Sequence, residues 1–502
     1  MSNYLISIGG TGAKCVESFV HLCAAGLGPD KLHILMIDAD EANGNLDRTN
    51  SLIENYNACR ESANPDKSRI FTTELVSAAG ENKRIWSPLH DINENQQTLN
   101  HYLGYAELSD NQRKLCRMMY SDKELNEKLS GGFRGHPNIG AAVVARLKDE
   151  FEREPILSMI DAINTDLGAA GETVKVFIVS SIFGGTGAAG FPIVARLLRE
   201  RFHDKSNLYI GGALLLPYFA FPVPSAEGDR IYARPENFLV NTKAALFHYG
   251  EMGPEIKSYD SIYILGENRL ARLEKHIPSG RDQKNPSHNI ELLAALSAKD
   301  FYEAAITRGE RQNQYYLPRD DNDMISWDNL PFKTDVKSRL TYFSTVAIAS
   351  MAFYYPLLKE IDQKNEYVVP WLIDHFSSQE SNELMSESKS DSRKSFEKYF
   401  CSFLNWIYDI HDFAPYKICL FMKEALESLE KSSYDMISDE HFKGILHISE
   451  GLHKHGFDRF WCLSCEAGKG YKTSYNDPEG RLINILYDVS VRFCNSNYNL
   501  RR

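Results

Sequence analysis

Twice in this sequence an apolar run stops at a glycine-rich turn from which a helical pattern starts, and that repeated junction limits the fold more than any other feature. Tyr4 to Ile8 leads into Gly9-Gly10-Thr11-Gly12 and a helix from Ala13 to about Ala25. Val174 to Val179 runs through Ser180-Ser181-Ile182-Phe183 into Gly184-Gly185-Thr186-Gly187-Ala188-Ala189-Gly190 and a helix from Phe191 to Phe202. Such junctions build parallel α/β sheets. Glycine at the turn leaves backbone N–H groups uncovered at a helix N-terminus, where partial positive charge favours an anion, most often a phosphate. A third glycine-rich stretch, residues 131–140, opens another helix reaching about Glu154. Any one of these turns is also explained as a tight βα connection; three together suffice to surround a nucleoside triphosphate.

The alternation continues. Leu32 to Ile37 is a second strand ending in Asp38-Ala39-Asp40, Leu208 to Leu216 and Ser261 to Leu265 are further strands, and Pro235 to Tyr249 and residues 287–307 are helices. The pattern predicts an α/β domain over residues 1–310, a doubly wound and mostly parallel sheet closed by a long central helix at about 287–307. Residues 45–130 are polar and irregular, with weak helical periodicity around 110–129. From 311 to 502 the composition predicts a second, mainly helical domain, with a buried helix at 336–358, an exposed Ser/Glu/Lys-rich linker near 377–395 and helical periodicity at 396–429 and in the tail.

With 43% hydrophobic and 25% charged residues the chain is an ordinary globular one. Its 56 Lys and Arg against 68 Asp and Glu give a net charge of −12, which opposes any general nucleic-acid surface. No apolar stretch approaches a bilayer span, Ser2 to Ile8 is no signal sequence, and the nine cysteines form no regular framework; a cytoplasmic protein with reduced thiols is expected. Cys462 and Cys465 form a C-x-x-C downstream of His453 and His455, residue types that suit zinc, although Phe460-Trp461-Cys462-Leu463 reads equally as an apolar helix face.

Two nucleotide motifs are tested by spacing. A Walker A loop needs G-x-x-x-x-G-K-[ST], and Lys14 is followed by Cys15 without that spacing. A dinucleotide fingerprint begun at Gly10-Thr11-Gly12 meets Cys15 at its third glycine; Asp38 suits a ribose, so an NAD-dependent oxidoreductase stays open as the weakest reading.

In order along the chain, the residues resemble the tubulin/FtsZ superfamily, in particular its divergent bacterial tubulin-like branch. Gly184-Gly185-Thr186-Gly187 resembles the family's G-G-T-G-S/T-G phosphate loop, and Ile8-Gly9-Gly10-Thr11-Gly12 its first, diphosphate-contacting loop. Asp38-Ala39-Asp40 is similar to the acidic loop near magnesium, Gly135-His136-Pro137-Asn138-Ile139-Gly140 to the γ-phosphate-sensing G-N-P-x-x-G, and Tyr259-Asp260-Ser261-Ile262-Tyr263-Ile264-Leu265 to the strand before the central helix. Ala188 and Ala189 replace the family's hydroxyl residue and last glycine.

The resemblance implies GTP/GDP with Mg2+, bound by Gly9, Gly10, Thr11, Gly12, Asp38, Asp40, Gly135, Asn138, Gly184, Gly185, Thr186 and Gly187, with Asp38 and Asp40 near the metal. It places base contacts at the start of the central helix, where His288 and Asn289 read equally as a polar N-cap. It also implies head-to-tail self-association, in which an acidic residue from the next subunit completes a GTPase site. The family's N-x-D-x-x-[DE] motif is absent; Asp328 and Asp335 stand at about the right place, and Asp335 suits orienting a water or accepting its proton, or is an exposed loop aspartate. Arg134 reads either as a phosphate contact or as a surface arginine. The expected function is a tubulin-like GTPase whose nucleotide state controls filament assembly. The alternative is a non-hydrolysing nucleotide-binding scaffold or sensor that docks a partner protein through its helical C-terminal region.

Overall fold

The computed structural model describes residues 1–80, 83–90, 98–133, 135–145, 147–220, 235–251, 256–267, 270–273, 280–306, 313–316, 330–355, 358, 368–386, 390–413, 457–467 and 477–498. Arg134, Asp328, His453 and His455 lie outside these residues.

The strands are β1 (Ser2–Ile8), β2 (Lys31–Ile37), β3 (Glu74–Ser77), β4 (Ile85–Trp86), β5 (Val174–Ser181), β6 (Leu208–Leu215), β7 (Phe219–Ala220), β8 (Ser261–Leu265), β9 (Ala271–Arg272) and β10 (Asn313–Tyr316). Eight form one sheet in the order β10-β8-β6-β5-β1-β2-β3, with β4 against the end of β2, and every pairing is parallel. β7 and β9 make a separate pair. The central strands are near-continuous apolar runs because both sheet faces are covered: all eight residues of β5 are buried.

The principal helices are α1 (Gly9–Ala24), α2 (Gly44–Ala63), α3 (Pro137–Val144), α4 (Ile156–Gly168), α5 (Gly185–Arg201), α6 (Pro235–Glu251), α7 (Asn289–Glu303), α8 (Lys333–Ile348), α9 (Asp391–Phe413), α10 (Phe457–Ala467) and α11 (Pro478–Tyr498). Successive residues of a strand face opposite sides, and β6 shows which helix covers which. A Cβ on Gly211 would meet Phe301 of α7 at 2.5 Å, whereas one on Gly212 would meet Phe191 of α5 at 2.7 Å. The central helix and α5 therefore lie on opposite faces. Chain connection runs from β1 outward to β2 on one side and from β5 outward to β6 on the other. The order reverses between β1 and β5, and in open α/β sheets ligands bind outside the carboxyl ends of the strands at that reversal.

Three expectations are corrected. The helices expected to follow the glycine turns begin within them, at Gly9 and Gly185, so the turn supplies the first helical turn. Residues 44–63, expected to be irregular, form a twenty-residue helix capped by Asn43, whose Oδ1 accepts from Asn45 N at 2.9 Å, and ended by Asn64 at φ 56°. Its buried Leu46, Leu52, Ile53, Tyr56 and Cys59 have helical spacing, but Asn, Arg and Glu dilute the pattern, and besides the neighbouring α1 it packs on the distant α9 and α11. The segment near 377–395 is no exposed linker over its described residues. Ser377 and Glu380 form a capping box for a helix at Ser378–Met385, Leu384 is buried, and the buried Arg393 donates from Nε to Glu479 Oε1 at 2.6 Å. Ser377, Glu380 and Arg393 serve there as cap and ion-pair partners.

The C-terminal helices share one hydrophobic cluster with the sheet domain. The buried His21 of α1 lies 4.8 Å from the Trp406 ring and 5.6 Å from Tyr399, and Trp406 donates to Ser18 Oγ at 3.0 Å. Among the described residues no helix is long and apolar enough to cross a membrane.

Candidate functional site

The register that pairs Ile8 with Ser180 sets the ends of β1 and β5 side by side, so the two glycine turns share one cleft. Open to solvent, with about 810 Å³ of empty space, it is lined by Gly9, Gly10, Thr11, Asp38, Asp40, Gly135, Gly184, Gly185, Thr186 and Gly187, all expected there from the sequence. Neither α1 nor α5 has a side-chain N-cap or an acidic residue in its first turn, so both helix N-termini present backbone N–H groups and positive partial charge to the cleft.

The glycines are required chiefly by how closely the loops approach one another. Gly9 sits at φ +80°, in the left-handed region. A Cβ on Gly187 would lie 2.7 Å from Ser181 O and 2.5 Å from Ser180 Oγ, and one on Gly12 would lie 2.8 Å from Val179 O. On Gly185 it would lie 2.6 Å from Phe133 Cβ, which locks the third loop against the second. Gly12 is buried and does not line the cleft; it lets the first loop rest on β5.

The acidic pair stands at the end of β2. Asp38 Oδ1 accepts from Asp40 N at 3.3 Å and from the Thr186 hydroxyl at 3.2 Å, joining the second strand's end to the phosphate loop. Burial, and then the neighbouring Asp40, push its carboxyl up to about 7. Asp40 Oδ2 accepts from Gly280 N at 2.8 Å. Two buried carboxylates that repel one another fit a divalent cation, because a cation would relieve both the burial and the repulsion.

The segment before the central helix closes one side of the cleft, which sequence reasoning missed. Asn43 Nδ2 donates to Gln283 Oε1 at 2.9 Å, Asn285 N donates to Asn45 Oδ1 at 3.0 Å, and Arg48 donates to Asn285 O at 3.0 Å. Asn43, Asn45, Gln283 and Asn285 all line the cleft, with Phe133, Ser181, Phe183 and Phe238. The only signal in the sequence was the run of short carboxamides on both sides, separated by 240 residues.

Other expected residues fall elsewhere. Asn138 is exposed and turned to Glu124, to which its Nδ2 donates at 3.1 Å; it does not line the cleft. His288 and Asn289 begin α7 but are buried beside the cleft instead of lining it. His288 caps the helix, its Nδ1 accepting from Ile290 N at 3.2 Å, and burial lowers its pKa to about 3. Its Nε2 and both ends of the Asn289 carboxamide are buried without a hydrogen-bond partner. Lys14 turns into the core, where it pairs with the fully buried Glu291, which also accepts from the Tyr218 hydroxyl at 2.6 Å. Burial raises the Glu291 pKa despite Lys14.

Asp335 lies at the other end of the sheet. It is exposed in the first turn of α8, whose N-cap Phe332 has its ring 4.9 Å from Lys299 Nζ near the end of α7. That end of α7 is held at the start of β5, where Lys175 Nζ donates to Phe301 O at 3.0 Å and Tyr302 O at 2.8 Å. Cys462 and Cys465 are exposed on α10, and among the described residues no group of three His, Cys, Asp or Glu side chains is set to hold a metal.

A family model described as tubulin-like matches residues 5–248, the stretch that carries all three glycine turns. This part of the chain belongs to the tubulin/FtsZ superfamily. The tubulin-like sheet resembles several solved structures at low identity. CetZ2 of Haloferax volcanii, a GTPγS-bound protofilament, is 15% identical over 60% of this chain and 59% of its own, with a TM-score of 0.28. CetZ of Methanosaeta thermophila is 15% identical over 67% and 58%, with a TM-score of 0.29. CetZ1 of Haloferax volcanii, a GDP-bound monomer, is 14% identical over 56% and 56%, with a TM-score of 0.26. The tubulin-like chain thus spans less than two-thirds of each of these proteins. No curated protein matches it.

Proposed function

We propose that this chain binds GTP in the carboxyl-edge cleft and hydrolyses it to GDP and phosphate where copies stack head to tail, so that nucleotide state controls assembly. The observation that carries the reading is the convergence of two uncapped helix N-termini, three glycine loops and two buried carboxylates at one strand-order reversal. The phosphates are bound by the backbone of Gly9, Gly10, Thr11 and Gly184 to Gly187, and Asp38 and Asp40 hold Mg2+, which would neutralise phosphate charge. Base recognition in this reading falls to the segment just before α7, whose Gln283 and Asn285 line the cleft, because the buried His288 and Asn289 do not reach it.

Catalysis in this reading needs a second copy. Asp335 is exposed at the pole opposite the cleft, and in this reading it meets the cleft of the next copy and there orients a water or accepts its proton.

The test is phosphate release from GTP with Mg2+ over a wide range of protein concentration. Specific activity that rises steeply above a threshold supports completion between subunits. GTP bound at every concentration with no release instead favours the non-hydrolysing scaffold, and GTP ignored in favour of NAD refutes both.

A further inference from the structure

The wall that closes the cleft beside Asn43 and Asn45 is tied down along its whole length. At its start the backbone turns on itself, with Gln283 N donating to Gly280 O at 3.0 Å and Lys284 N to Asp282 O at 2.8 Å. From there to the central helix its N–H groups go to side chains: Asn285 N to Asn45 Oδ1 at 3.0 Å, Ser287 N to Asp409 Oδ2 at 2.8 Å and His288 N to Glu291 Oε2 at 3.0 Å. Pro286, between the first two, has no N–H to give. Asn45 stands in the first turn of α2, at the cleft itself, and Glu291 on α7, into which the wall leads. Asp409 belongs to neither. It stands on α9, three residues beyond the Trp406 that anchors this helix on α1, and among the described residues none of α9 lines the cleft.

Arg48 completes the junction, donating from Nη1 to Asn285 O at 3.0 Å and from Nη2 to Glu17 Oε2 of α1 at 2.6 Å. Two residues apart, the wall is thus held by a carbonyl from α2 and by an N–H from α9. Burial pushes the Asp409 carboxyl up to about 6, against the Ser287 N–H and the charge of Arg48, which favour its ionised form; Glu17 and Lys14 are the other charged groups that act on it. A carboxyl buried at such a cost is not explained by packing alone.

We propose that Asp409 is a positioning residue for the nucleotide: by fixing Ser287 N it sets where Gln283 and Asn285 stand in the cleft, and so makes the C-terminal helix α9 part of the binding site. This rests on the nucleotide reading of the cleft and adds to it a residue that does not touch the ligand. The link does not pass through the body of the central helix; it runs from the wall directly to α9. Coupling of this kind is reciprocal, so a nucleotide that orders the wall also holds α9.

The experiment measures the affinity and dissociation rate of a fluorescent GTP analogue with Mg2+ for the wild-type chain, Asp409→Ala, Asp409→Asn and Ser18→Ala, with urea unfolding of each. Ser18→Ala removes the acceptor of the Trp406 indole N–H and loosens α9 on α1 without touching the wall. Asp409→Ala is expected to weaken binding roughly five- to thirtyfold, chiefly through faster dissociation. Asp409→Asn keeps an oxygen that accepts from Ser287 N and stays within about threefold of wild type. Ser18→Ala loses stability and keeps its affinity. Hydrogen exchange supplies the reciprocal readout: the GTP analogue slows amide exchange along α9 in the wild-type chain and not in Asp409→Ala. Asp409→Ala that binds as tightly as wild type overturns the proposal and leaves the nucleotide reading standing. An equal loss of affinity in Ser18→Ala also overturns it, because the effect is then one of helix docking. Where Asp409→Ala does not fold, the wild-type exchange decides, and α9 amides unchanged by nucleotide overturn the proposal. A wild-type chain that does not bind the analogue refutes the nucleotide reading itself, and the positioning role with it.

Discussion

Asp38 in the cleft and Glu479 under the C-terminal helices are both buried carboxyls pushed up to about 7 by burial, yet their surroundings differ in kind. Glu479 has a cation of its own, Arg393, with both side chains only 3% exposed. Asp38 has Asp40 as its charged neighbour, and its donors are the Thr186 hydroxyl, the Asn43 carboxamide and the backbone N–H groups of Ala39 and Asp40. No cationic side chain among the described residues pairs with it. A perturbed carboxyl is therefore not by itself a sign of function; the one completed by its own chain is structural, and the one left facing a like charge fits an external cation.

The largest effect should come from breaking the completed pair. Arg393→Met leaves Glu479 buried without its cation and should destabilise the fold by about 3–5 kcal/mol in urea unfolding, while GTP affinity of the folded protein stays within about twofold. A variant that loses GTP binding without losing stability would erase the distinction between the two regions. Next, Gly187→Val drives a side chain into Ser180 and Ser181 and should weaken GTP binding at least roughly 100-fold, with the circular dichroism spectrum retained. Normal binding by this variant would remove the second loop from the site.

Asp38 also sharpens the comparison through pH. Its folded pKa of about 7 stands above the ordinary 3.8, so the folded state holds the extra proton between those values. Stability from this group is present below pH 3.8, falls as pH rises, and is fully lost above about 7, a change on the order of 2–4 kcal/mol. Asp38→Asn should flatten that part of the stability curve and weaken the Mg2+ dependence of GTP binding; Glu479→Gln should flatten it too but leave the Mg2+ dependence alone. Equal effects on magnesium would mean that Asp38 is as structural as Glu479. The smallest effect is expected at the cleft wall, where Gln283→Ala removes one hydrogen bond to Asn43 and should cost about 0.5–1.5 kcal/mol of nucleotide affinity by titration.

The phosphate-facing part of the cleft was legible in the letters because its chemistry is local. A strand, the glycine turn at its end and the helix it opens are contiguous, and Asp38 and Asp40 follow their strand directly. Even there the reason for each glycine was only partly legible, since Gly185 and Gly187 answer to Phe133 and Ser180, residues of other segments or of the turn's own floor. The wall made by Gln283 and Asn285 was not legible. Nothing in those polar residues distinguishes them from a loop until Asn43 and Asn45 meet them across the fold.

By itself, then, the sequence determined the parallel α/β sheet, the glycine turns at its switch point and the acidic end of β2, because periodicity and turn chemistry act over a few residues. Tertiary structure alone decided that α2 is a helix under α9 and α11, that Ser377 and Arg393 are cap and ion-pair partner, that His288 and Asn289 sink beside the cleft, and that Asp335 stands at the opposite pole. Each of these depends on burial against a segment far away in the chain, and such burial energies are set by the assembled fold and leave no short-range pattern to read.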